Sequence, residues 1–371
     1  MSFACDESYR KTEAKINRIR WQKDDITQSR TIANVVEREG LEIQRAIEDK
    51  TVKILEENGF DKNGKLLELK DNIKVLPESD YVPEALISQA VLEYNDGKDK
   101  ELQIEISELH ETFENPFTST NASIDEVGVK KQKEEGRSKY SVKKDGKEYV
   151  RNTVVHVQKG KGRYILNKLG IIPALKILMA FLLYNNLLEK GALVFFVDGA
   201  RDLQAGIKEM FGWVPFKIIL DWHHLEEKCK MQLSLGLKGR EVRNSVLAKV
   251  TAYLWVGKVD KAVEVLRQVE EKHIKSKDAI ENLIGYFDRN WSYIPCYALR
   301  KELGLRNSSN RGEKANDLTV SDRQKHNGMS WSNSGSSSLA SVITLHQNGE
   351  QMNWLLKRDI DFKLIKKEQV A

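Results

Sequence analysis

Two short apolar runs, each stopping at an acidic residue, constrain the fold most strongly. The run at 192–200, ALVFFVDGA, has five apolar residues directly before Asp198, and the run at 216–220, FKIIL, is followed by Asp221. Runs of this length that stop abruptly are typical of strands buried on both faces, as in sheets flanked by helices. Side chains at the ends of such strands face a crevice, where α/β proteins place their sites.

The surrounding sequence completes an α/β pattern. Further strands are predicted in NASIDEVGVKK (121–131), RNTVVHVQKG (151–160) and RYILNKLG (163–170), and helices in 175–188 and 202–212. Residues 225–305 contain amphipathic helical patterns and no strand signal. We therefore predict a mixed-sheet α/β core interrupted by an all-α insertion and preceded by a helical N-terminal region.

The N-terminal 60 residues have apolar residues near helical spacing in SRTIANVVEREGLEIQRAIEDKTVKILEENGF. Gly40 is expected to separate two short helices, an arrangement compatible either with a DNA-binding helix-turn-helix or with an ordinary helical hairpin. We predict five regions: 1–60 (helical, with the helix-turn-helix), 61–118 (a linker with short helices), 119–224 (first part of the core), 225–305 (the insertion) and 306–371 (a helix bearing an acid and the rest of the core).

Composition narrows the class of protein. The 371 residues include 60 Lys+Arg and 55 Asp+Glu, for a net charge of +5, which fits a nucleic-acid partner without requiring one. The 40% hydrophobic content excludes wholesale disorder. Three cysteines without CxxC spacing exclude a disulfide framework and indicate a reducing, cytoplasmic compartment. The apolar run 169–188 contains Lys176 and is interpreted as a buried helix rather than a membrane span, and the N-terminus has no signal-peptide pattern.

Three acids in this pattern are candidate metal ligands: Asp125, Asp198 and Glu313. Carboxylates that converge on one spot repel each other, and a divalent cation such as Mg²⁺ or Mn²⁺ relieves that repulsion. Two such ions would stabilise both oxygens of an in-line phosphoryl displacement. Alternatively, each acid is a turn or helix-cap residue, since Asp198 precedes a glycine and Glu313 opens a helix.

Several motifs together resemble a known family. IDEVGVKKQK, FFVDGARDL, ILDWHHLEEKC, YLWVGKVDKAVEVL and NSSNRGEKANDLTVSDRQKHNGMSWS resemble bacterial insertion-sequence transposases of the aspartate–aspartate–glutamate type, near the Mutator-like group. The resemblance covers residues 20–355 and implies a ribonuclease H-like core with Asp125, Asp198 and Glu313 as catalytic metal ligands. It also matches Asp221 and His224 to a family motif, which we interpret as support for the site. Glu126 and Asp317 are competing ligands.

Basic residues near these acids are candidate DNA contacts, although such a run is often only a solvated face. They are Lys130, Lys131, Lys143, Lys144, Lys147, Arg311, Arg323 and Lys325. Trp255 is expected either to stack on a base or, more simply, to pack in the core.

The resemblance implies a DNA transposase with two Mg²⁺ or Mn²⁺ ions. Its expected partners are terminal inverted repeats, target DNA and further copies of itself. No membrane partner is expected, and the expected location is the cytoplasm, in association with the bacterial nucleoid. The alternatives are a degenerate transposase that only binds DNA, or another ribonuclease H-like nuclease of the resolvase type. An assay for nicking of DNA phosphodiester bonds would distinguish an active transposase or nuclease from a degenerate transposase that only binds DNA.

Overall fold

The computed structural model describes residues 2–21, 27–68, 70, 80–109, 111–132, 141–144, 147–325 and 328–366. The strands are β1 (Thr120–Lys130), β2 (Ser141–Lys144), β3 (Lys147–Lys159), β4 (Gly162–Leu169), β5 (Leu193–Val197), β6 (Phe216–Leu220) and β7 (Ile365–Lys366). The α-helices before the insertion are α1 (Ser2–Asp6), α2 (Tyr9–Ile19), α3 (Ser29–Glu57), α4 (Glu84–Asn95), α5 (Ile171–Tyr184) and α6 (Arg201–Phe211). Those that follow are α7 (Trp222–Gly236), α8 (Arg240–Trp255), α9 (Val259–Arg267), α10 (Lys277–Asn290), α11 (Tyr297–Glu302), α12 (Asn310–Asn316), α13 (Asp322–Gln324), α14 (Asn333–Gln347) and α15 (Gln351–Lys357).

One mixed sheet forms the centre of the molecule. Its strands follow the order β6-β5-β1-β3-β4-β7, and the short β2 pairs with the start of β3. Strands β1, β3 and β4 are antiparallel neighbours, whereas β5 and β6 run parallel to β1. The five central strands, with helices packed on them, form an α/β core that is compatible with a ribonuclease H-like fold.

Strand β5 explains why the run LVFFV is continuously apolar. All five of its residues are buried, and alternate residues join different cores. Phe195 packs into the core that contains α5, whereas Phe196 packs into a second core built with the insertion helices. The strand is therefore apolar on both faces, as the sequence predicted.

The predicted helical insertion is present as α7–α11, and it is joined to the sheet by its own core. The region predicted as a linker is more ordered than expected, because α4 and the segment before β1 pack on α11. Glu114 of that segment forms a fully buried ion pair with Arg300 of α11. In the described ranges, no helix is both long and apolar enough to cross a membrane.

Residues 29–57 do not break at Gly40, as both the helix-turn-helix and the helical hairpin required. A single helix, α3, runs through Gly40, and its apolar residues belong to the same core as the sheet. Gly40 is needed for packing rather than for a turn, since a Cβ there would lie 2.4 Å from the carbonyl oxygen of Ser338 in α14. The glycine thus lets α3 cross the serine-rich helix α14 at short distance.

Candidate active site

Three neighbouring parallel strands carry three aspartates at one level, with Asp125 inside β1, and Asp198 and Asp221 directly after β5 and β6. Strands β1 and β5 pair from Thr120 opposite Leu193 to Ser123 opposite Phe196, and continuing this register sets Asp125 opposite Asp198. The β5–β6 register, which pairs Val197 with Leu220, continues in the same way to set Asp198 opposite Asp221. Strand pairing alone therefore aligns the three carboxylates along one edge.

Asp125 lies in the interior of β1, because β1 continues to Lys130 along β3. It is half-buried, and its Oδ2 accepts a 2.7 Å hydrogen bond from Nδ2 of Asn316. Burial raises the pKa of Asp125, and the negative charge of Asp198 adds to the rise, while the hydrogen bond from Asn316 opposes it. Asp125 is thus a carboxylate held next to a like charge.

Helix α12 covers this end of β1 and carries Glu313. Helix α12 approaches β1 so closely that a Cβ on Gly312 would lie 2.8 Å from Cβ of Ser123. Glu313 and Asn316, three residues apart, share a helix face. Burial and the charges of Asp221 and Asp125 raise the pKa of Glu313, whereas His224 lowers it. Glu313 therefore lies within electrostatic reach of the aligned aspartates.

Asp221 joins three pieces of the structure. Its side chain caps α7 by accepting a 2.9 Å hydrogen bond from the backbone N of His224. Its other oxygen accepts hydrogen bonds from the backbone N and, at 2.9 Å, from Oγ of Ser309, the residue before α12. Although burial alone would raise it, the neighbouring His224 side chain and these hydrogen bonds lower the pKa of Asp221 to about 2. Asp221 therefore fixes the start of α12, the helix that bears Glu313.

His224 connects this network to Glu313. Its Nδ1 lies 3.2 Å from Oδ1 of Asp221 and 3.7 Å from Oε1 of Glu313. The Asp221 carboxylate raises the pKa of His224 to about 9, against the effect of burial. Among the described residues, potential ligand atoms of Asp221, His224 and Glu313 lie within 4.8 Å of one another, so this group can hold a metal ion. Asp125 and Asp198 are not part of that group.

Asp198 is exposed just beyond β5 and is held through its backbone and its side chain. Its Oδ1 accepts a 2.9 Å hydrogen bond from the N of Ala200, and its carbonyl oxygen accepts one of 3.3 Å from the hydroxyl of Tyr286. Gly199 adopts φ +89° against the same hydroxyl, where a Cβ would lie 2.5 Å away. Tyr286 belongs to α10, so the insertion buttresses the turn that presents Asp198.

The two competing acids differ from Asp125 in their surroundings. Glu126 points to the opposite face of β1, where it accepts hydrogen bonds from Arg151 and, at 3.2 Å, from Thr153. Asp317 is exposed at the start of a π-helical turn, Asp317–Ser321. Neither acid has a described contact with Asp125 or Asp198.

The predicted DNA-contacting residues fall into three groups. Lys130, Arg311 and Lys325 are exposed, and the positive charge of Lys325 slightly lowers the pKa of Asp125. The side chains of Lys143, Lys144 and Lys147 lie outside the described residues. The remaining group is buried or packed in the interior.

Three of those DNA-contact predictions need correction. Lys131 is buried and forms an ion pair of 3.1 Å with Glu148. Arg323 is buried too, because it donates to the carbonyl oxygen of Ala4 and lies over aromatic rings. The π-helical turn after α12 changes the helical phase, which α-helical spacing in the sequence does not reveal. Trp255 packs between aromatic rings of the insertion core, as the simpler interpretation held.

Sequence reasoning missed Asn316 and Tyr286, and it did not predict the contact of Ser309 with Asp221. Asn316 had a local signal, since it lies three positions after Glu313 on the same helix face. Ser309 and Tyr286 act through contacts with residues 88 positions away in the chain. No local sequence pattern predicts those contacts.

Comparisons with known proteins give little further information. No family model matches the chain, and no curated protein matches it. Among solved structures, the chain is similar to the Drosophila P element transposase strand transfer complex, with a TM-score of 0.23, 10% sequence identity and coverage of 76% of this chain and 75% of that one. A TM-score this low assigns neither a fold nor a function.

Proposed function

We propose that the protein is a DNA transposase of the aspartate–aspartate–glutamate type. It would bind the terminal repeats of its own element, hydrolyse DNA phosphodiester bonds and transfer 3′-hydroxyl ends to target DNA. The observation that carries the proposal is the strand register that sets Asp125 beside Asp198, under the helix that bears Glu313. Because two element ends must be cut and joined together, we propose that it acts as a homo-oligomer on DNA.

Asp125, Asp198 and Glu313 are the residues that would hold divalent cations. All three offer carboxylate oxygens, the hard ligands that Mg²⁺ and Mn²⁺ prefer. Burial is the main cause of the raised pKa of Asp125, and the negative charge of Asp198 adds to it; a bound cation would offset that charge. When bound, two such ions would stabilise the attacking and leaving oxygens of an in-line phosphoryl displacement.

The remaining residues of the site hold these carboxylates in place. Asn316 fixes Asp125 by its hydrogen bond, and Tyr286 supports the turn that carries Asp198. Asp221 anchors the start of α12, and the positive charge of His224 offsets the negative charge of Glu313. We propose that these groups set the separation of the three acids before DNA arrives, which lowers the reorganisation needed for catalysis.

The test compares neighbouring acids on opposite faces of β1. Asp125→Asn and Asp198→Asn should each reduce Mn²⁺-dependent nicking of plasmid DNA by at least about a hundredfold, because several kcal/mol of charge stabilisation would be lost. Glu126→Gln is the matched control and should stay within about twofold of the wild type, since Glu126 pairs with Arg151 on the other face. The plasmid should carry the DNA that flanks the gene, so that joining of ends is scored as well.

Three results would contradict the proposal. Wild-type nicking by Asp198→Asn would remove Asp198 from the site. Binding of DNA with no cleavage by the wild type would favour a degenerate, DNA-binding transposase. Cleavage confined to branched DNA, without joining of ends, would favour a nuclease of the resolvase type.

A further inference from the structure

Two arginines bind the side chain of Gln158, and a third lies opposite it on the neighbouring strand, at the far end of the sheet face that carries Asp125. Arg306 and Arg311, which precede and begin α12, both donate hydrogen bonds to Oε1 of Gln158. Arg163 of β4 is the cross-strand partner of Gln158. Two guanidinium groups therefore share one neutral amide oxygen, with a third on the neighbouring strand.

These three arginines have no ion pair with a carboxylate in the described part of the chain. Arg300 forms an ion pair with Glu114, and Arg151 and Arg358 also pair with carboxylates in the described part of the chain. A guanidinium group that is partly removed from water needs an anion or good acceptors to offset the cost. An amide oxygen shared by two guanidinium groups only partly meets that need.

The electrostatics around Gln158 indicate an excess of positive charge. Burial and the charge of Arg311 lower the pKa of Arg306 to about 10. His156, two residues earlier on β3, is buried and its Nδ1 has no hydrogen-bond partner among the described residues. Burial, and then the charges of Arg306, Arg311 and Arg163, lower the pKa of His156 to about 4, so the ring is neutral. The cluster thus concentrates three cations without an internal counter-ion in the described ranges.

The cluster lies on the same sheet face as the candidate active site. In the β1–β3 pairing, Gln158 lies opposite Asn121 and Val154 lies opposite Asp125. The two positions are four residues apart on each strand, so Gln158 and Asp125 point to the same face of the sheet. Four residues of β1 separate the levels of Gln158 and Asp125, which is about 13 Å at the usual rise per residue. That distance equals roughly four nucleotide steps along a duplex axis.

We propose that Arg306 and Arg311, held by Gln158, bind a backbone phosphate together with Arg163, and that this phosphate belongs to the nucleic acid whose scissile bond lies at Asp125. Arginine forks bind phosphate oxygens in pairs, and Gln158 orients two of them in advance. Gln158 is itself oriented, since its Nε2 donates a 2.8 Å hydrogen bond to the carbonyl oxygen of Gly160. That the anion belongs to DNA rests on the proposed function, whereas the preference for phosphate rests on the cluster alone.

The first experiment uses inorganic phosphate as the probe on the full chain. At constant ionic strength, phosphate should raise the melting temperature of the wild type more than chloride does. Gln158→Glu places a carboxylate between the arginines, so it should raise the melting temperature in chloride and abolish the additional effect of phosphate. Equal stabilisation of both proteins by phosphate would overturn the site.

The second experiment measures duplex DNA binding in the Asp198→Asn background, where cleavage is absent. Arg163→Gln combined with Arg306→Gln should weaken binding to all sequences alike, and the salt dependence should become less steep by about 0.9 for each phosphate that the variant no longer binds. Gln158→Glu should also weaken duplex DNA binding. This variant should fold like the wild type, because the new carboxylate adds an ion pair with the arginines. The control is Arg45→Gln, an exposed arginine on α3, which should leave both affinity and salt slope unchanged.

The outcomes separate this proposal from the proposed function. If the cluster variants bind DNA like the wild type, the cluster is not a nucleic-acid site, even where free phosphate stabilises the protein. If they lose affinity as expected but the wild type never cleaves DNA, the phosphate site stands and the transposase proposal falls.

Discussion

At the scale of single residues, Asp221 organises the site although it is fully buried and faces away from solvent. The sequence indicated its importance through the apolar run 216–220 that stops at Asp221 and through the spacing Asp221-x-x-His224. The structure supplies the physical reason, because one carboxylate caps α7, holds Ser309 and charges His224. Asp198 and Asp221 could be predicted from where apolar runs stop, but Asp125 lies within a strand and Glu313 on a helix. The contacts of Asn316 with Asp125 and of Ser309 with Asp221 could not be predicted, since those partners are distant in sequence.

The pKa of His224 tests this network. In Asp221→Asn, the pKa of His224, followed by NMR of the imidazole protons, should fall from about 9 towards its ordinary value of 6.5. Because the folded-state pKa is raised, the stabilisation is fully present below pH 6.5 and is lost as pH rises through about 9. Wild-type stability should therefore fall over that pH window more than that of Asp221→Asn. An unchanged His224 titration in the variant would show that Asp221 does not charge the ring.

At the scale of elements, the short apolar strands and the helices of the insertion were predictable, because burial on both faces and helical periodicity leave direct marks on the sequence. The long helix α3 was not. Gly40 has the same local signal whether it ends a helix or permits two helices to cross closely, and only the contact with α14 distinguishes the two.

Two helical glycines provide a matched test of this interpretation. Gly40→Ala should lower the free energy of unfolding by about 1–3 kcal/mol, since the new methyl group would meet the backbone of Ser338. Gly285→Ala in α10 should be neutral or stabilising by up to about 1 kcal/mol, because only the flexible end of Arg289 lies near its Cβ position. Urea unfolding measures both. Equal effects of the two substitutions would argue against a close crossing at Gly40.

At the scale of the whole molecule, the N-terminal helix and the insertion both join the central sheet. Helix α3 contributes to the core beneath the sheet, and α7–α11 bury the other side of β5 and β6. Residues 29–57 are therefore part of the same body as the candidate active site rather than a separate DNA-reading unit. Sequence patterns alone could not show this, since amphipathic helices look alike whether they pack on a sheet or on each other.

The same organisation makes α12 the element through which the rest of the molecule acts on the site. Its start is tied to Asp221, its middle packs on Ser123, and its end holds Asp125 through Asn316. Arg306 and Arg311 lie at its beginning, beside the cluster proposed to bind phosphate. Nucleic acid bound at that cluster would therefore contact the helix that also positions Glu313.

The most direct test of the central claim is anomalous diffraction at the manganese edge from crystals of the protein grown with Mn²⁺. We expect density between the carboxylates of Asp125 and Asp198, with Glu313 as a further ligand, and its loss in Asp198→Asn. Density confined to Asp221, His224 and Glu313, or none near Asp125 and Asp198 at saturating Mn²⁺, would contradict the proposed site.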